Sequence, residues 1–250
     1  MSIISYENKL YSNFIDINEI SWKKIKNNKV FAIKVDMNKI EKNKHKQLIK
    51  KILKLRRKTL KNKNVKNDIN GIAVNINNFD INNENQKEIV ESLTAILKDN
   101  DKLMYEYIYD NVCNYLDECF YGKNLCNFKN NKCGEKINTT SNVGCCRHYK
   151  NMFWGPLKLN NKLVQCEYLK DYKCSAKCLP CKLFTCDYLE KRGIKFKIND
   201  IFLLDTFLNI IQKIIIKVAV YTPKEKIIKK LLLFRTKIWY NNTINLKGEN

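Results

Sequence analysis

The stretch KVFAIKVDM, residues 29–37, places the apolar residues Phe31, Ile33 and Val35 at every second position. This period of two is typical of a β-strand with one buried face. The stretch GIAVNI, residues 71–76, repeats the pattern and predicts a second strand of the same kind.

Residues 38–62, between the two predicted strands, show the spacing of apolar side chains that is typical of an amphipathic helix. This apolar stripe consists of Ile40, Leu48, Ile49, Ile52, Leu53 and Leu60. A strand, a helix and a strand at this separation predict a crossover unit with two parallel strands.

The remaining segments are predicted to be mostly helical. Helices are expected over residues 84–98, over 101–120 and, as one apolar helix, over 199–220. The sequence TPKE, residues 222–225, predicts the start of the last helix: Thr222 as N-cap, Pro223 at the first helical position and Glu225 closing a capping box.

All eleven cysteines lie between Cys113 and Cys186. This distribution predicts three segments: an N-terminal α/β segment (1–112), a cysteine-rich module (113–190) and C-terminal helices (191–250). We therefore expect an α+β fold in which a small sheet with flanking helices supports a central metal-binding module.

The N-terminal sequence shows no basic segment followed by an apolar run, so no signal peptide is predicted. The sequence contains no run of 18 uninterrupted apolar residues, so no transmembrane helix is predicted either. We expect a cytoplasmic protein whose cysteines are kept reduced, a setting that favours metal binding over disulfides.

Nine cysteines are candidate metal ligands, because thiolates are soft ligands that select zinc or iron–sulfur clusters. They are Cys126, Cys133, Cys145, Cys146, Cys166, Cys174, Cys178, Cys181 and Cys186. Short spacings such as Cys178-Leu-Pro-Cys181 let neighbouring sulfurs face one ion, and Pro180 would hold that loop in a turn. His148 is a candidate fourth ligand or a partner that orients one. The alternatives are disulfides and inert buried thiols, and burial is the expectation for Cys113 and Cys119.

The spacing Cys174-x3-Cys178-x2-Cys181 is that of radical S-adenosylmethionine enzymes. The context differs, since Pro180 stands where those enzymes usually carry an aromatic residue. The chain after Cys181 is also too short for their barrel, so the motif does not predict that chemistry.

The segment from Gly144-Cys145-Cys146 to CEYLKDYKCSAKCLPCKLFTC (166–186) resembles the zinc- or iron-chelating cysteine-cluster family of bacteria. Cys145, Cys146, Cys166 and Cys174 match by order, with Cys181 or Cys186 as the last member. The wider spacing of Cys126 and Cys133 and the missing Arg-Pro before the last cysteine depart from the family pattern. The resemblance implies a metal site, either zinc or an iron–sulfur cluster, and selects no reaction.

The formal net charge of +22 raises affinity for anionic partners without naming one. Residues 42–66 contain twelve Lys or Arg and no acid, and Lys50, Lys51, Arg56 and Arg57 are candidate phosphate contacts. His45 in this run is expected to be exposed. The basic amphipathic helix that follows Thr222 is a candidate contact for an anionic membrane surface, with packing on its own core as the alternative.

Taken together, these patterns predict a cytoplasmic metal-binding cysteine-cluster protein, with an iron–sulfur cluster favoured over zinc. One alternative is a zinc-stabilised nucleic-acid-binding protein that uses the basic helix. A second alternative is an iron–sulfur redox or group-transfer enzyme.

Overall fold

A computed structural model describes most of the chain from Ser2 to Arg235. The described residues are 2–5, 21–25, 28–41, 44–61, 69–80, 82–122, 125, 128–129, 132–133, 147–150, 162–165, 168–170, 173–174, 177–185, 187–220 and 222–235. The chain divides into two compact units, Met1–Ile108 and Tyr109–Asn250. The three segments predicted from the cysteine distribution stay a prediction.

A four-stranded sheet organises the first unit. Its strands are β1 (Ser2–Ser5), β2 (Ser21–Ile25), β3 (Asn28–Asp36) and β4 (Ile69–Asn77), in the order β1-β4-β3-β2. The two predicted strands are the central pair, β3 and β4, and they are parallel as expected. β1 runs parallel to β4, and β2 runs antiparallel to β3.

The parallel register aligns Ile33 with Val74 and Val35 with Ile76, and all four side chains are buried. The helix of the crossover, α1 (His45–Lys61), lies against β4. Its predicted stripe is confirmed at four positions: Leu48, Ile49, Ile52 and Leu53 are all buried.

Helix α1 begins seven residues later than predicted, because a short 3₁₀ turn, Met37–Lys39, follows β3 directly. The Asp36 side chain caps this turn by accepting a hydrogen bond from the backbone N–H of Asn38 at 3.2 Å. The expectation that His45 is exposed is wrong, since it is only 5% exposed at the start of α1.

Two further helices follow β4, namely α2 (Glu84–Ile96) and α3 (Asp101–Asp117). The Asn83 side chain caps α2 by accepting from the backbone N–H groups of Asn85 and Gln86. Ile89, Leu93 and Ile96 are buried, so the predicted apolar face of this helix is confirmed.

Arg56 joins α1 to the start of α3 within the first unit. The side chain is 3% exposed, forms an ion pair with Asp101 and donates to the carbonyl oxygen of Lys98 at 3.0 Å. A guanidinium buried in this way is tolerated because a carboxylate and a carbonyl oxygen both accept hydrogen bonds from it.

Among its described residues, the second unit contains five further α-helices and six short strands. The helices are α4 (Leu179–Leu183), α5 (Asp187–Lys191), α6 (Phe202–Phe207), α7 (Ile210–Val218) and α8 (Lys224–Leu233). The strands form three antiparallel hairpins: β5 (Phe128–Lys129) with β6 (Lys132–Cys133), β7 (Arg147–Lys150) with β8 (Lys162–Gln165), and β9 (Leu169–Lys170) with β10 (Lys173–Cys174).

The prediction of one helix over 199–220 is wrong, because two separate helices, α6 and α7, occupy this segment. Asn209 adopts an extended conformation and forms a capping box with Gln212, whose side chain accepts from the Asn209 backbone N–H at 3.0 Å. Gln212 also donates to the carbonyl oxygen of Leu231 at 2.8 Å, which fixes α7 against α8. Gln212 thus bonds one backbone group at the start of α7 and another in α8. Both hydrogen bonds favour a new helix start at this point.

Helix α8 begins at Lys224, next to the predicted start, but its predicted capping box is wrong. Pro223 holds the N-cap position, and the Thr222 hydroxyl donates backwards to the carbonyl oxygen of Val220 at 3.3 Å. In the described residues, a helix-rich chain with a small mixed sheet agrees with the α+β class. None of the helices that the structure describes is long and apolar enough to cross a membrane.

Replacement of Arg56 tests the buried ion pair. We expect Arg56→Met to lower the free energy of unfolding by about 3–5 kcal/mol in urea titrations, because Asp101 keeps a buried charge without its partner. Arg56→Met combined with Asp101→Leu should lose clearly less. Lys54→Met, an exposed position on the same helix, should change the value by no more than about 0.5 kcal/mol. Equal losses at Arg56 and Lys54 would contradict the role of the pair.

Candidate metal centre

One face of α3 holds the segment that contains Cys178 and Cys181. Tyr109, Cys113 and Asp117 are spaced four residues apart, which places them along one side of the helix. We call these three residues the α3 stripe. Each of them contacts the segment 177–182.

The three contacts of the α3 stripe are different in kind. The Tyr109 hydroxyl accepts from the backbone N–H of Leu179 at 2.8 Å, and the Cys113 thiol donates to the carbonyl oxygen of Lys177 at 3.4 Å. Asp117 forms an ion pair with Lys182, whose side chain is only 5% exposed. Two hydrogen bonds and one ion pair therefore fix both the backbone and one side chain of the segment.

Cys178 and Cys181 stand at the start of the short helix α4. Cys178 is the N-cap, Cys181 lies one turn later, and Pro180 occupies the first turn of a short helix rather than a loop. Lys177 has a φ of +45°, a left-handed conformation that non-glycine residues rarely adopt. The Cys113 thiol therefore donates its hydrogen bond to Lys177, a residue whose backbone is strained.

Both cysteines of this motif are buried, with 3% and 5% of their surfaces exposed. Cys113, Cys119, Cys178 and Cys181 are thiols, and none of them is in a disulfide. Cys113 is buried as predicted, whereas Cys119, in the turn Glu118–Gly122, is partly exposed.

Burial raises the pKa of the Cys113 thiol from 9.0 to about 12. The ammonium of Lys182 opposes this shift, while the carboxylates of Asp117 and Asp110 and the Cys178 sulfur reinforce it. Cys113 is therefore a protonated hydrogen-bond donor at neutral pH, not a thiolate. Burial likewise raises the pKa of Tyr109 well above its usual range, against the effect of the Leu179 N–H, so its hydroxyl stays neutral.

Two of the other predicted cysteine ligands lie in the short hairpins. Cys133 lies opposite Phe128 in the β5–β6 hairpin, and Cys174 lies opposite Leu169 in the β9–β10 hairpin. Five predicted ligands lie outside the described residues: Cys126, Cys145, Cys146, Cys166 and Cys186.

The β7–β8 hairpin contains the predicted additional ligand, His148, which lies opposite Val164. The hairpin ends at the pair Arg147 and Gln165. The chain neighbours of this pair are Cys146 and Cys166.

Within the part of the chain that the structure describes, no group of three or more Cys, His, Asp or Glu side chains is arranged to hold a metal ion. The structure brings Cys178 and Cys181 together and adds Cys113 and Tyr109 as their structural supports. The sequence reasoning missed these supports, although the four-residue spacing of Tyr109, Cys113 and Asp117 was visible in it.

One of the four predicted phosphate contacts on α1 is buried inside the protein. Lys50 and Lys51 are exposed and Arg57 is half-buried, but Arg56 is enclosed in its ion pair with Asp101. A guanidinium engaged inside the protein does not reach a phosphate. Arg56 therefore does not belong to that surface, and the other three residues stay predictions.

In comparisons with known proteins, the chain matches no protein-family model, no curated protein and no solved structure. The resemblance to the cysteine-cluster family thus stays a prediction that depends on the cysteine order alone.

Removal of the Tyr109 hydroxyl tests the first contact of the α3 stripe. We expect Tyr109→Phe to lower the free energy of unfolding by about 1–3 kcal/mol, because the buried N–H of Leu179 loses its acceptor. The matched control is Tyr115→Phe, since Tyr115 is 52% exposed on the same helix. Urea titrations in which both variants lose the same amount would argue against the hydrogen bond.

The raised pKa of Cys113 predicts both its reactivity and a pH dependence. Iodoacetamide, which attacks thiolates, should label Cys119 before Cys113 in the folded protein between pH 7 and about 9, as read by peptide mass spectrometry. The unfolded thiol loses its proton at lower pH than the folded one, so the free energy of unfolding should fall as pH rises from 9.0 towards about 12. Cys113→Ala should show a smaller fall over that window. Fast labelling of Cys113 in the folded state would show that its thiol is accessible and ionised.

Proposed function

We propose that residues 126–186 hold a metal through cysteine thiolates, with Cys178 and Cys181 as two of its ligands and an iron–sulfur cluster favoured over zinc. The observation that carries the proposal is the geometry of this pair. Two thiols that are not in a disulfide stand one helical turn apart on a backbone that the α3 stripe holds at Lys177 and Leu179. A fixed backbone supports a metal site because ligand geometry must be set before binding.

The chemistry of the neighbouring groups supports the same site. Lys182 follows Cys181 directly, and its buried ammonium forms an ion pair with Asp117, which fixes the end of the motif. Cys178 and Cys181 themselves supply soft sulfur donors, which zinc and iron–sulfur clusters prefer.

Further ligands must come from other positions in residues 126–186. The proposal requires at least two further thiolates from the seven other predicted positions, with His148 as the alternative donor.

The proposal assigns no reaction, and it places the protein in a reducing compartment, the cytoplasm, where thiols stay available to a metal. The nucleic-acid alternative has less support, because Arg56 is committed to an internal ion pair. What remains of that surface is Lys50, Lys51 and Arg57, which would bind phosphates without sequence preference.

The metal proposal is tested by anaerobic purification with an absorption spectrum and elemental analysis of iron, sulfide and zinc. We expect the full chain to carry either iron with matching sulfide or stoichiometric zinc. Cys178→Ser and Cys181→Ser should each lose most of the metal, because one thiolate ligand is missing. Cys119→Ser should keep it, since Cys119 is neither a proposed ligand nor a contact of residues 177–182.

Two outcomes would overturn the proposal. Full-length protein without metal, with its cysteines all titrating as thiols, would show that the cluster is not a metal site. Full metal content in both Cys178→Ser and Cys181→Ser would exclude this pair as ligands.

A further inference from the structure

Helix α7 exposes an apolar stripe that the metal proposal does not use. Ile210, Ile214 and Val218 are 76%, 51% and 68% exposed. Their four-residue spacing shifts each by only about 40° around the helix, so the three side chains line one face. On the opposite face Gln212, Ile215 and Ile216 are buried. The exposed stripe therefore faces away from the core.

The end of α8 extends this surface. The Asn209 side chain donates to the carbonyl oxygen of Phe234 at 3.2 Å, which places the end of α8 beside the start of α7. Leu233 and Phe234 at this end are 70% and 36% exposed. Ile210 therefore lies near two further exposed apolar side chains, and we call the five residues the α7–α8 apolar surface. Exposed apolar side chains grouped in this way are typical of interaction sites.

The charges of these helices are almost all positive. Residues 210–235 contain seven Lys or Arg and one acid, Glu225. Lys213 and Lys224 form internal ion pairs with Asp205 and Asp110. The remaining lysines, Lys217, Lys226, Lys229 and Lys230, are exposed.

We infer that the α7–α8 apolar surface binds an anionic membrane surface. Apolar side chains beside exposed lysines match an interface where acyl chains lie below anionic headgroups. A second copy of the chain fits less well, because a symmetric dimer would place these lysines, on a protein of net charge +22, opposite one another. The helices lie on the membrane in this proposal, since no described helix could cross it.

The test is co-sedimentation of the full chain with phosphatidylcholine vesicles that do or do not contain phosphatidylserine. We expect binding to the anionic vesicles, weakened by salt, and little binding to the neutral ones. Ile210→Gln combined with Ile214→Gln should lower the partition coefficient roughly tenfold or more. Transfer of a glutamine side chain from water to the membrane is less favourable than transfer of isoleucine. Tyr115→Gln, which changes an exposed aromatic residue on α3, should bind like the unmodified chain.

Circular dichroism and urea titration establish that the double variant is folded, and Val218→Gln alone replaces it if it is not. Three results would overturn the inference: no binding of the full chain to anionic vesicles, equal binding of the double variant, or equal binding to neutral vesicles. Sedimentation velocity gives a fourth, since a dimer that the double variant dissociates would identify a second copy as the occupant. None of these readouts depends on bound metal.

Discussion

The second unit depends on the side chains that α3 presents to the segments around it. Tyr109 and Cys113 satisfy a backbone N–H and a backbone carbonyl at the start of α4, and Asp117 neutralises the buried Lys182. Asp110 on the same helix pairs with Lys224 at 2.7 Å, and Phe120, just beyond its end, packs edge-on against Phe196. Because buried polar groups without partners are costly, one helix that supplies so many partners constrains the position of several elements at once.

This arrangement gives the cysteines two distinct roles. Cys113 is protonated, and its S–H group bonds the carbonyl oxygen of Lys177. This hydrogen bond holds a strained residue next to Cys178. Cys178 and Cys181 are buried and, under the proposed function, are metal ligands.

Charge is used differently in the two units. In the first, Arg56 is withdrawn from a strongly basic helix to form a buried pair with Asp101, so a residue that looks like a phosphate contact is structural. In the second, Lys213, Lys224 and Lys182 pair with carboxylates, while Lys217, Lys226, Lys229 and Lys230 stay exposed beside apolar side chains. A count of positive charge alone does not distinguish these roles, because the partner of each cation is far away in the sequence.

The sequence by itself determined the local periodicities: the parallel pair β3 and β4, the stripe on α1 and the apolar face of α2 follow from spacing along one strand or one helix. It also determined the burial of Cys113 and the order of the candidate ligands. Only the tertiary structure decided the break at Asn209, the burial of His45 and Arg56, and the contacts of the α3 stripe with residues 177–182. The break at Asn209, the burial of Arg56 and the contacts of the α3 stripe each depend on a hydrogen bond or ion pair whose partner is set by packing, such as Gln212 with the carbonyl of Leu231, 19 residues away. Side-chain spacing along the chain carries no information about such a partner until the helices are packed together.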